Sequence, residues 1–365
     1  MRKLVGASFY SGVGCADLGM LQGGVAELAW ACEYDAVTAD WHEANFGKHI
    51  LRSPTGSCLG VCDINPYRVE RPNVLWLSPE CKTFSLLNKD KRKRLGHGKP
   101  LEEAKAIAHY LRIWEPEFVF IENVATYLKS LPGELLIDTL RELGYWLRIE
   151  VLNAANFRNP QERRRLIVRA IRKNLYKPVF LESELPALLP FESTPGWHEA
   201  TQDISLQKTS FCNWQLAALP SLISEGCFNE LLTCKPETQY FLIERVGAHG
   251  LPNVRIGKRP SWTVRALNHD RHYRQIDVLR ISGDFIDLAQ EVMQSSYRNK
   301  DDEILKLILM SDVYAACPRF FARLQTFPDS FKLPEDKPLA TQMIGNAVPV
   351  NLAAEVVAQT LAIAS

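Results

Sequence analysis

The sequence has no C-x-x-C pair, although it holds nine cysteines among 365 residues. Scattered thiols in a chain this long exclude a disulfide framework and point to a reducing compartment. Cys227, Cys234 and His249 could be imagined as metal ligands, but their spacing fits no zinc pattern, so no metal is expected. No apolar run approaches the roughly 18 residues a membrane helix needs. Met1-Arg2-Lys3-Leu4 runs straight into an apolar stretch with no small-residue cleavage site. A soluble, cytoplasmic protein without a membrane span is therefore expected. Net charge is also scarce, at +1 from 43 basic and 42 acidic residues. That excludes a globally basic nucleic-acid binder and leaves polyanion contact to local clusters. Internal repeats are absent. With 46% hydrophobic residues the chain can build a real core, and its length suggests two domains or one with an insertion.

What is present is organised around 74–85. The apolar run Val74 to Leu77 stops at Ser78-Pro79, and Cys81 follows. A cationic segment comes next, Asn88-Lys89-Asp90-Lys91-Arg92-Lys93-Arg94 and on to Lys99. A buried strand that delivers a thiol to its carboxyl end, before a basic loop, suits a nucleophile acting on a polyanion. Taken alone, such a cysteine is more often a small packed hydrophobe.

The neighbouring segments change that balance. Leu4 to Tyr10 reads as a strand, Ser11-Gly12-Val13-Gly14-Cys15 as a glycine turn, and Ala16 to Leu21 as a helix start. The full G-x-G-x-x-G is missing, since Asp17 stands at the third glycine position. A second strand, Leu28 to Cys32, ends in Glu33, where a doubly wound fold holds ribose hydroxyls. Helix 36–45 follows. Leu59 to Cys62 reads as a third strand ending in Asp63-Ile64, and 101–114 has helical spacing. Phe118 to Ile121 is continuously apolar, as a strand buried on both faces should be, and ends in Glu122-Asn123-Val124. A helix over 134–143 and strands over 146–152 and 166–171 complete the alternation. The expectation is an α/β fold with a doubly wound, mostly parallel, seven-stranded sheet. Gly12, Gly14, Glu33, Asp63, Cys81 and Glu122 gather at its carboxyl edge.

From Lys173 the periodicity fails and prolines cluster. Residues 173–336 are expected as a second, smaller, irregular domain, with a helical insertion near 283–312. Residues 1–172 and 337–365 would form the first domain. The segment from Arg255 to Arg274 is basic and aromatic, including Lys258, Arg259, Trp262, Arg265 and Arg271. On composition a solvated loop and a phosphate-contacting surface suit it about equally.

The order and spacing of these segments resemble the DNA (cytosine-5) methyltransferase family. Tyr10-Ser11-Gly12-Val13-Gly14 is similar to its cofactor motif, and Pro79-Glu80-Cys81 with Phe84-Ser85 to its nucleophile motif. Glu122-Asn123-Val124 matches E-N-V, and Gln161-Glu162-Arg163-Arg164-Arg165 matches Q-x-R-x-R. Residues 323–329 and Gly345-Asn346-Ala347-Val348-Pro349 match the last two blocks. The resemblance covers about 1–172 and 313–365, and the unmatched middle corresponds to the family's target-recognition region. It implies S-adenosylmethionine as cofactor, held by Tyr10, Gly12, Gly14, Glu33, Tyr34, Asp63, Ile64 and Asn346. It implies duplex DNA as partner and a flipped cytosine as target, with Ser85, Lys89, Arg92, Arg94 and Thr263 on nucleic acid. A monomer is expected, with room for a cognate restriction endonuclease.

By this resemblance Cys81 adds to carbon 6 of cytosine, which makes carbon 5 nucleophilic. Glu122 neutralises N3, Arg165 holds O2, and Arg163 braces the thiol or the adduct. The family has proline where Glu80 stands. An anion beside the thiol is expected to raise the Cys81 pKa. Alternatives are the tRNA enzyme of the same fold, a catalytically impaired DNA-binding relative, and a nicotinamide-dependent oxidoreductase.

Overall fold

The computed structural model describes residues 3–81, 83–84, 95–177, 184–235, 237–244, 253–264, 276–296 and 298–364. The chain forms two compact units. The first comprises Met1–Thr194, Gln325–Pro334 and Asn346–Ser365, and the second Pro195–Leu324 and Glu335–Gly345. The sequence puts the change of character at Lys173, but the units divide after Thr194. Residues 184–194 stay hydrogen-bonded to the first unit. Leu185 donates to the Leu147 carbonyl (3.2 Å), Phe191 to that of Asn156 (2.9 Å), and Leu189 to Gln359 Oε1 (2.8 Å).

The first unit is built on β1 (Val5–Phe9), β2 (Glu27–Cys32), β3 (Val74–Leu77), β4 (Phe118–Asn123), β5 (Tyr145–Asn153) and β6 (Arg164–Arg172). Its sheet has six strands in the order β2-β1-β3-β4-β6-β5. β2, β1, β3 and β4 run parallel, and β6 is antiparallel to both β4 and β5. β3 and β4 are buried at every residue, which explains the unbroken apolar run of β3 and that of β4 as far as Ile121. Helices α1 (Cys15–Gln22), α2 (Ala36–Phe46), α3 (Lys99–Trp114) and α4 (Leu131–Glu142) connect them.

Six strands form where seven are expected. Val61–Asp63 of the expected third strand is a 3₁₀ turn instead. Asp63 is the reason: its Oδ2 accepts from the Gly60 amide at 2.9 Å and its amide donates to the Gly60 carbonyl at 3.0 Å. A closed turn cannot present its amides to a neighbouring strand.

α3 and α4 cover one sheet face. There Phe9, Trp30, Tyr110 and Trp114 form an aromatic cluster, with Phe9–Trp30 at 5.3 Å and Trp30–Trp114 at 5.4 Å. α1 packs against helix Val350–Ala362 so closely that a Cβ at Gly19 would lie 2.4 Å from Ala353 Cβ.

The second unit is more regular than its sequence suggests. β7 (Gln207–Thr209), β8 (Gln239–Glu244), β9 (Asn253–Ile256), β10 (Ile276–Ile281) and β11 (Asp312–Ala315) form an antiparallel sheet ordered β7-β11-β10-β8-β9. The expected helical insertion is a pair, Gly283–Gln294 and Lys300–Leu309. It is no appendage, since Ile286, Ala289, Ile304 and Ile308 are buried in one core with Leu279 and Phe241.

Candidate active site

The glycine turn after β1 is held open by its backbone. Tyr10, Gly12 and Gly14 adopt φ of 57°, 56° and 96°. Gly14 admits no side chain, because a Cβ there would lie 2.2 Å from the Phe46 ring, whereas a Cβ at Gly12 would meet nothing within 4 Å. The Gly12 face of the turn is thus bare. Tyr10 takes a left-handed conformation that costs a non-glycine residue about 1 kcal/mol or more. Its hydroxyl donates to Glu103 Oε2 at 3.1 Å. Glu33, at the tip of β2, is 8% exposed. It accepts from the Gly12 amide (3.0 Å) and the Asp35 amide (2.9 Å). Burial pushes its pKa up, against the pull of those amides. A bare glycine turn with a buried, oriented carboxylate suits a ribose-bearing cofactor.

The other residues expected at the cofactor divide. Tyr34 is exposed, with Lys99 Nζ 4.7 Å over its ring. Tyr10, Tyr34, Pro79, Glu80, Lys99 and Glu103 line a common cleft. Ile64 is buried, and its carbonyl accepts from Tyr110 Oη at 3.0 Å. The Asp63 carboxylate is occupied with its own turn. Asn346 is exposed and, among the described residues, makes no hydrogen bond to the rest of this set.

Cys81 lies beyond β3, on backbone tied to β4. Asn123, fully buried at the end of β4, donates from Nδ2 to the Pro79 carbonyl at 2.9 Å. Its Oδ1 accepts from the Val124 amide at 2.8 Å. Trp76 Nε1 donates to Ser78 Oγ at 2.8 Å. Parallel pairing of β3 with β4 brings Glu122 to the same edge. Arg165 Nε stands 2.9 Å from Glu122 Oε1. Arg163 is 2% exposed and donates from Nη2 to the Ala347 carbonyl at 2.9 Å, and its amide donates to Asn153 Oδ1 at 3.0 Å. Burial raises the Cys81 pKa, Glu122 adds to the rise, and Arg165 and Arg163 oppose it. Burial and the Arg165 charge pull Arg163 down. So one thiol, one carboxylate and two guanidinium groups form a single electrostatic cluster.

Among the carboxylates, Glu122 does most to raise the Cys81 pKa. Glu80 lines the cleft with Tyr10 and Tyr34. Ser85, Lys89, Arg92 and Arg94 lie outside the described residues, as does His249. Thr263 is half-buried in the second unit, where Arg255 stacks 4.6 Å over Trp262. Among the described residues no group of His, Cys, Asp or Glu could hold a metal, and no helix is long and apolar enough to cross a membrane.

Sequence reasoning passes over Glu103 and the bracing role of Asn123. Glu103 falls off the apolar stripe of α3 and reads as a solvated charge. Asn123 is visible only as the middle letter of E-N-V.

A family model described as C-5 cytosine-specific DNA methylase matches residues 5–362. The type II methyltransferase M.Bsp6I of Bacillus sp. (strain RFL6) is 30% identical over 175 residues, 44% of this chain and 50% of that protein. M.FnuDI of Fusobacterium nucleatum is 25% identical over 356 residues, covering 95% of this chain and 91% of that one. The chain thus spans about half the length of several curated relatives it matches, and nearly all of M.FnuDI. Among solved structures, the Dnmt2 methyltransferase of S. pombe aligns over 99% of both chains with a TM-score of 0.61 at 15% identity. A putative DNA modification methyltransferase from an E. coli prophage aligns over 99% of both at 0.58 and 15%. Those two share the fold. With the match from β1 to the last helix, the chain belongs to the C-5 cytosine-specific DNA methylase family.

Proposed function

We propose that the chain methylates carbon 5 of cytosine in duplex DNA, and the cluster of Cys81, Glu122, Arg163 and Arg165 carries this reading. S-adenosylmethionine, the family's methyl donor, supplies an electrophilic methyl group when bound. Gly12, Gly14, Glu33, Tyr10 and Tyr34 would hold it, and the bare glycine turn and buried carboxylate fit its ribose. Carbon 5 of cytosine is a poor nucleophile. Addition of the Cys81 thiolate to carbon 6 turns the ring into an enamine and directs charge to N3 and O2. Glu122 delivers or shares a proton at N3, and Arg165 donates to O2. Arg163 is anchored on Ala347 and braces the thiol side. Once carbon 5 carries the methyl group, loss of its proton to water re-forms the 5,6 double bond, breaks the bond from carbon 6 to sulfur and expels the Cys81 thiolate. The target base has to leave the stack to reach Cys81.

The second unit takes the role of target recognition in this reading. Its antiparallel sheet and the Arg255–Trp262 stack supply surface for base or phosphate contacts. A cytoplasmic monomer acting with a cognate endonuclease fits the type II names of the relatives. The test is incorporation of tritiated methyl from S-adenosylmethionine into mixed-sequence duplex DNA and, in parallel, into tRNA. Label in DNA at cytosine supports the reading, and label confined to tRNA overturns it. In the same assay Asn123→Ala is expected to lower kcat about 10- to 100-fold, because Pro79 loses its anchor and the thiol drifts. An unchanged rate would remove Asn123 from the site.

A further inference from the structure

Glu80 occupies a position where the family has proline, and its surroundings give it a role. We propose that Glu80 makes this chain prefer the positively charged methyl donor over its uncharged product. The inference rests on the S-adenosylmethionine reading above.

Glu80 lines the same cleft as Tyr10 and Tyr34. The other carboxylate of the cleft is already engaged. Glu103 accepts from Tyr10 Oη at 3.1 Å and stands 3.6 Å from Lys99 Nζ. Lys99 also lies 4.7 Å over the Tyr34 ring. Glu80 makes no ion pair or hydrogen bond among the described residues. Its charge is nevertheless felt across the cleft, at Tyr34, whose hydroxyl is pushed up first by burial and then by Glu80. The cleft therefore offers one uncompensated carboxylate beside two aromatic rings, an environment that favours a cation.

The donor and S-adenosylhomocysteine share adenosine, amino and carboxylate groups. They differ in one methyl and in one charge, because the sulfonium becomes a neutral thioether on transfer. Glycine amides, Glu33 and aromatic faces bind what the two have in common. A carboxylate in the cleft adds attraction for the donor alone, and proline cannot. Exposure limits the effect, since a solvent-accessible charge pair contributes modestly and is screened by salt.

The test is calorimetric titration of the full chain, Glu80→Gln, Glu80→Asp and Glu80→Pro with S-adenosylmethionine and S-adenosylhomocysteine at low and high salt. Glu80→Gln is expected to weaken donor binding about three- to tenfold at low salt and leave product binding within about twofold. Glu80→Pro should behave likewise, and Glu80→Asp should keep most of the preference. The wild-type preference should shrink in high salt. Equal weakening of both ligands in Glu80→Gln, or no change in either, overturns the proposal. Failure of the unaltered chain to bind either ligand overturns the cofactor reading itself, and the proposal with it.

Discussion

Replacing Cys81 by alanine is expected to lower cytosine methylation at least about 10³-fold while S-adenosylmethionine still binds. The enamine forms only if a nucleophile adds to carbon 6, and Cys81 is the thiol that the cluster of Glu122, Arg163 and Arg165 surrounds. Serine should not substitute, because a hydroxyl is a far weaker nucleophile at neutral pH. The same cluster fixes a pH dependence. The thiol is the uncharged form, so a pKa raised by burial and by Glu122 means less thiolate at pH 7 than a free cysteine has. Below that pKa the thiolate fraction grows about tenfold per pH unit. Alkylation of Cys81 by iodoacetamide, followed site by site by mass spectrometry, should therefore be slow at pH 7 and climb steadily with pH. Glu122→Gln removes an anion, so its profile should move to lower pH. Arg165→Gln removes a cation, so its profile should move to higher pH. Methylation would fall in both variants, which makes alkylation the more informative readout. Full methylation by Cys81→Ala, or an opposite shift in Glu122→Gln, would sink the assignment.

The parts of this protein that the sequence discloses are those whose physics is local. β3 and β4 read correctly because strands buried on both faces are largely apolar, and each apolar run stops abruptly, one at Ser78-Pro79 and the other at Glu122-Asn123, the last two residues of β4. The glycine turn reads correctly because few residues other than glycine accept the backbone of Gly14. The errors arise where a distant partner decides. The segment 59–62 looks like a strand until Asp63 folds back on Gly60. The sheet of the second unit pairs Gln207 with Ala315 and Gln239 with Ile281, so no window of sequence contains both partners. Glu80 is adjacent to Cys81 in the chain, yet the carboxylate that does most to raise the thiol pKa is Glu122, at the end of β4. Asp17 was legible only as a missing glycine. Its reason is His42, on another helix.

That pair carries the largest expected effect on stability. Asp17 and His42 are both fully buried, with Asp17 Oδ2 3.1 Å from His42 Nε2. Asp17 Oδ1 and His42 Nδ1 have no hydrogen-bond partner among the described residues. The contact is thus the main compensation either polar group has for leaving water. Removing one member strands the other. Asp17→Ala is expected to cost about 3 kcal/mol, and His42→Ala a similar amount with a cavity added. The double variant Asp17→Leu/His42→Phe should recover most of the loss, because two apolar groups leave nothing stranded. Urea unfolding of the two single alanine variants and the double alanine variant gives the coupling, expected at about 1–3 kcal/mol. Strict additivity would mean that the two side chains do not depend on each other. Position gives the pair a functional reach. Asp17 lies in the first turn of α1, directly after Gly14, and one helical turn beyond His42 on α2 stands Phe46, the ring that closes on Gly14. His42 packs on Phe46 at 4.8 Å. Loosening the pair frees the ring that keeps the glycine turn in place, so variants that still fold should bind S-adenosylmethionine more weakly while Cys81 alkylates with an unchanged pH profile.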